Sequence, residues 1–110
     1  MKVHLIKKQT IENYILSNSQ SKSGFLNWIN RLRLSEWNEP LDIVSTYNSA
    51  DILGNGTNRV VFNISGNKYR MICEYFFGSK KVHLYVTWIG THAEYTKLCN
   101  QGLQYTITNY

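Results

Sequence analysis

The chain has 110 residues, 43% of them hydrophobic and 14% aromatic, with a single proline. That composition suits one globular domain and excludes a disordered chain or a core with a separate regulatory module. The formal net charge of +5 is unevenly placed: residues 1–33 carry +5, residues 34–58 carry −4 and residues 59–110 carry +4, and such basic blocks attract polyanions such as nucleic acid or acidic protein surfaces.

Val3 and Leu5 alternate with Lys2, His4 and Ile6, which predicts a short first strand. Thr10 then stands as an N-cap ahead of Ile11, Tyr14 and Ile15 at helical spacing, and Asn18-Ser19-Gln20-Ser21 breaks the pattern. A second helix follows, with Phe25, Leu26, Trp28, Ile29 and Leu32 on its apolar face and Asn27, Asn30, Arg31 and Arg33 elsewhere around it. Pro40 suits the first turn of a third, short helix carrying Leu41, Ile43, Val44 and Tyr47.

After the turn signal Gly54-Asn55-Gly56 the apolar period changes from helical to two. Val60, Phe62 and Ile64 form one alternating set. Tyr69, Met71, Cys73 and Tyr75 form a second, and Val82, Leu84, Val86 and Trp88 a third. Ser65-Gly66-Asn67 and Gly78-Ser79-Lys80-Lys81 are the turns between them, so a three-stranded antiparallel meander is expected. Thr91-His92-Ala93-Glu94 has the form of a capping box and starts a last helix. The class is α+β, with two N-terminal helices packed on one face of a small antiparallel sheet.

On this reading the opposite sheet face is uncovered and shows Arg59, Asn63, Lys68, Arg70, His83, Tyr85 and Thr87. Such a face suits single-stranded RNA, because cations meet phosphates and planar groups stack on bases. An ordinary solvated sheet face carries the same pattern. His92 and Tyr95 are three apart in the first turn of the last helix, at the end of this face. Metal-free RNA cleavage needs a base for the ribose 2′-OH, a cation for the phosphorane and an acid for the leaving 5′ oxygen; His, Tyr, Lys and Arg can supply all three. The three histidines lack zinc spacing, no carboxylate cluster suits a divalent metal, and Cys73 and Cys99 form no CxxC pair. No metal or other cofactor is expected. With no stretch of membrane-spanning length and no signal-peptide core at Met1–Lys8, a cytosolic protein is expected.

Two stretches, Asp51-Ile52-Leu53-Gly54-Asn55-Gly56 with Arg59 to Arg70, and Gly90-Thr91-His92-Ala93-Glu94-Tyr95, resemble the HigB toxins of bacterial type II toxin–antitoxin systems, in the RelE-like superfamily. The resemblance spans about residues 41–98. It implies a RelE-like fold, a ribosome-dependent mRNA endoribonuclease that works by 2′-OH attack without metal, and a HigA-type helix-turn-helix antitoxin as partner. Carried over by position, it implies that Arg70, His92 and Tyr95 are catalytic, with His92 and Tyr95 sharing the acid and base roles in an unassigned order. Arg59, Asn63, Asn67 and Lys68 would hold the RNA. Many relatives carry Arg where this chain has Thr87, which keeps a catalytically inactive RNA- or protein-binding domain of the same fold as the alternative. Residues 1–98 are expected to form the domain, and residues 99–110 a tail or an extra strand.

Overall fold

The computed structural model describes residues 1–110. Strand β1 (Lys2–Ile6) runs into helix α1 (Lys8–Ser17), a 3-10 turn at Ser19–Ser21, helix α2 (Lys22–Arg33) and helix α3 (Pro40–Thr46). Strands β2 (Asp51–Ile52), β3 (Arg59–Ile64), β4 (Tyr69–Phe77) and β5 (Lys81–Thr91) follow, then helix α4 (His92–Asn100) and a second 3-10 turn at Leu103–Tyr105. The fold is mixed α+β, with five strands and four α-helices. No helix is long and apolar enough to cross a membrane.

Thr10 is not the cap of α1. Lys7 turns the corner out of β1 in the left-handed region, with φ 67°, and α1 starts at Lys8. Thr10 N–H instead donates to Lys7 O at 2.9 Å, as part of the first turn.

The sheet order is β1-β5-β4-β3-β2. The expected antiparallel meander is present as β3-β4-β5. The sheet as a whole is not antiparallel, because β1 lies parallel to β5, with Val3 against Val82 and Leu5 against Leu84. Turn signals reveal hairpins, whereas a parallel pair joins strands far apart in the chain, and nothing local marks it.

The core joins Ile11 of α1, Phe25, Trp28, Ile29 and Leu32 of α2 and Ile43 of α3 to Val60, Phe62, Ile64, Met71, Cys73, Val82, Leu84 and Val86. These are the strand residues that alternation assigns to the interior. Its centre is aromatic: Trp28 stacks on Tyr47 at 5.7 Å, and Phe62 meets both rings edge-on at 5.1 Å. Burial pushes the thiol of Cys73 well up, so it stays neutral as a small core residue.

Alternation fails at one point in β5. Cys73 pairs with Val86 but Ile72 pairs with Trp88, so Thr87 is an extra, bulged residue. Its hydroxyl donates to Ile72 O at 3.0 Å. One inserted residue reverses the facing of everything after it. Trp88, in the alternating set with Val82, Leu84 and Val86, therefore lies on the opposite sheet face, and Ile89 lies inside.

That opposite face is not uncovered. Val61, Ile72 and Trp88 form a second apolar cluster with Leu98 of α4, and Leu53, Tyr95 and Ile107 pack against it. The tail beyond α4 forms no strand. Its 3-10 turn carries it back over this face, where Asn109 N–H donates to Thr87 O at 2.8 Å. The face expected to be wet is thus half a second core, because an apolar pair, Val61 and Ile72, sits in the middle of it.

Candidate active site

The second face has two polar ends, each centred on an arginine. Arg59 pairs in register with Glu74, and Asn63 pairs with Arg70, on opposite sides of the Val61–Ile72 pair. Asn63 lies four positions along β3 from Arg59, about 13 Å at strand rise.

At the far end, Arg59 is 3% exposed. Its Nε lies 3.4 Å from the Glu74 carboxylate, and its Nη1 donates to Gln104 O at 3.1 Å and Ile107 O at 2.7 Å. The tail thus closes over this guanidinium with two main-chain oxygens. Arg59 has no free side facing solvent and does not join the other expected site residues; it fastens the tail to the sheet.

At the near end, Arg70 is 8% exposed. It also sits opposite Gly90 of β5. Its Nη1 donates to Asn67 O at 3.2 Å and Tyr69 O at 3.1 Å, and its Nη2 donates to Asn67 Oδ1 at 3.1 Å. All three acceptors are neutral. The chain's one ion pair is that of Arg59, so Arg70 is a largely buried cation with no carboxylate partner. Holding such a charge out of water costs free energy, which an arriving anion recovers.

The β3–β4 turn presents Arg70 in this way. Ser65 and Gly66 both take left-handed backbone, with φ 55° and 65°. The turn brings Asn67 back over the start of β4, where its side chain fixes the guanidinium. Lys68 follows, exposed on the turn. Its carbonyl accepts from His92 N–H at 3.0 Å, tying the turn to the start of α4.

Helix α4 begins where the capping box places it. Glu94 N–H donates to Thr91 Oγ1 at 3.2 Å, and Thr91 N–H donates to Glu94 Oε1 at 2.7 Å. The cap sets His92 on the exposed side of the first turn and Tyr95 half-buried against Trp88, ring centres 6.1 Å apart. Burial pushes the Tyr95 phenol well above its ordinary value. Cys99 and Asp51 push it further in the same direction, and Arg70 pulls against them. Tyr95 is therefore a neutral hydroxyl at physiological pH, close enough to Arg70 to feel its charge.

Arg70, His92, Tyr95, Asn67 and Lys68 therefore gather at one end of the sheet, and Asn63 adjoins them across the ladder. Asn67, expected to touch RNA, is exposed and points its oxygen at Arg70. Trp88 and Gly90 were not among the expected site residues. A Cβ on Gly90 would lie 2.4 Å and 2.5 Å from Trp88 Cη2 and Cζ2, so the missing side chain lets the indole cross the strand and support Tyr95. Only the bulge at Thr87 brings Trp88 to this face, and a bulge has no local sequence signature. No three His, Cys, Asp or Glu side chains are grouped to hold a metal ion.

A family model described as HigB_toxin, RelE-like toxic component of a toxin-antitoxin system, matches residues 21–98. No curated protein matches the chain.

Proposed function

Because the chain belongs to the family of RelE-like toxic components of toxin–antitoxin systems, we propose that it is an endoribonuclease that cuts mRNA on the ribosome and so blocks translation. The observation that carries this reading is Arg70, a buried guanidinium held only by neutral oxygens. In the reaction the 2′ oxygen of the substrate ribose bonds to the adjacent phosphorus and the bond from phosphorus to the 5′ oxygen breaks. The products are a 2′,3′-cyclic phosphate and a free 5′ hydroxyl. Arg70 takes the charge that builds on the phosphorane, the kind of term worth roughly 10²–10³ in rate.

The exposed imidazole of His92 takes the 2′-OH proton, and the neutral Tyr95 phenol gives its proton to the 5′ oxygen. Burial keeps Tyr95 protonated and disfavours the phenolate that a base would need, which supports this order. Lys68 and Asn63 hold the flanking RNA. Asn67 acts through Arg70 as a positioning residue. None of these steps uses a metal or other cofactor. Residues 1–98 form the toxin domain, and residues 99–110 strap its second face. The partner that silences it is an antitoxin of the HigA helix-turn-helix type, and both proteins act in the cytoplasm.

Producing the intact chain alone should stop growth by halting translation, and Arg70→Ala should restore growth with the protein still folded. A folded, abundant wild-type chain that leaves growth unaffected would refute the proposal. The second reading, a binding domain of the same fold without catalysis, draws on Thr87, which is buried and bonds its hydroxyl to Ile72 O rather than offering a cation at this face. Primer extension on translated mRNA separates the two, since binding without cuts favours that reading.

A further inference from the structure

A second recess lies beside the arginine site, at the edge of β3. It is an open groove of about 740 Å³ between α2, the segment after α3 and the β3–β4 turn. Asn27, Asn30 and Arg31 line it from α2, Asn48 from the segment after α3, and Asn63 and Ser65 from the hairpin. Only three of its twelve lining residues are hydrophobic, and none is a carboxylate.

Several groups at this groove lack partners. Trp28, which lines it, is 4% exposed, and its indole N–H has no acceptor. The Ser65 hydroxyl is buried and equally unpaired. The strand edge adds two more. Strand β2 covers β3 only at Val60 and Val61, and Leu53 N–H donates to Arg59 O at 3.0 Å. Arg59 therefore turns its main-chain groups towards β2, and in an antiparallel ladder every second residue does the same. Asn63 is two pairs further on, beyond the end of β2. Its N–H and C=O face outward with no backbone partner.

We propose that this groove holds a nucleobase of the RNA strand next to the phosphate at Arg70, which makes it a determinant of sequence preference. The proposal rests on the ribonuclease reading for the identity of the strand. Four asparagine side chains, an indole N–H and an adjacent main-chain donor and acceptor match the mixed donor–acceptor edge of a base. Arg31 and the absence of carboxylates suit an anionic backbone. A single unpaired strand residue is too short an edge for an added peptide strand, and the groove lacks the alternating apolar pockets that peptide grooves use. Asn63 lies directly opposite Arg70 in the ladder, so a base at Asn63 is within about one nucleotide of that guanidinium.

The test is NMR on the full ¹⁵N-labelled chain with each of the four ribonucleoside 5′-monophosphates and with inorganic phosphate. At least one nucleotide should give saturable shifts of the Trp28 indole and Asn63 amide signals that phosphate does not reproduce. The double variant Asn27→Ala/Asn30→Ala, on the solvent side of α2, should weaken binding by roughly tenfold, the scale of one lost base contact. It should also broaden the set of codons cut, as preferred codons lose their advantage over the others. Nucleotides that leave Trp28 and Asn63 unmoved, or shifts unchanged in the double variant, would overturn the proposal. So would an antitoxin that alone moves these signals, since the groove would then be a protein-docking surface. Cutting without nucleotide shifts sinks the groove and spares the nuclease. Shifts without cutting do the reverse.

Discussion

Arg59 and Arg70 point from the same sheet face, are almost equally buried and differ in their partners. Arg59 has a carboxylate and two tail carbonyls, and Arg70 has three neutral acceptors, two of them from Asn67. A buried guanidinium whose charge is already matched is part of the architecture; one whose charge is left open is set to meet an anion. Of two arginines in equivalent alternation, the protein uses one to close its second core and leaves the other without a carboxylate.

The sharpest way to break this contrast is Arg70→Ala. Cleavage on the ribosome should fall by roughly 10²–10³, measured in single turnovers. The melting temperature should hold or rise, because an uncompensated charge has gone. Arg59→Met should do the opposite. We expect a loss of about 2–3 kcal/mol in denaturant unfolding, below the full penalty of a broken buried pair because Glu74 keeps some water. Cleavage per folded molecule should not change. Tyr95→Phe tests the near end more finely: cleavage should drop by about 10² if the phenol is the acid, with little change in stability, since the ring still packs on Trp88.

The smallest effect concerns a half-buried ionisable group near the same end. Burial, with the Glu94 carboxylate adding to it, lifts the Tyr14 phenol from 10.0 to about 12. Its folded value is the higher one, so its contribution to stability is complete below pH 10 and is lost as the pH climbs from 10 towards 12. Alkaline unfolding followed by circular dichroism should be less steep across that window in Tyr14→Phe.

Much of this was legible in the residues. The alternation of Val60, Phe62 and Ile64 with Arg59, Val61 and Asn63 places β3 and its two faces, and Thr91 with Glu94 places the start of α4 within one residue. The facing of Trp88 was not legible, because a bulge arises from the pairing of two strands and not from either alone. The role of the tail was not legible either. It grips Arg59 through main-chain carbonyls, which every residue has, so Gln104 and Ile107 carry no mark of it. Alternation treats Arg59 and Arg70 alike for the same reason: it fixes the face on which a side chain points and leaves open what waits there.

The central claim, that Arg70 is the open cation of a ribonuclease site, is tested most directly by primer extension on an mRNA translated in a purified system. The comparison is between the wild-type chain, Arg70→Ala and Arg59→Met, each shown to be folded. The account predicts discrete cuts within codons for wild type and for folded Arg59→Met, and their loss in Arg70→Ala. Cuts that persist in Arg70→Ala, or vanish in folded Arg59→Met, would contradict it.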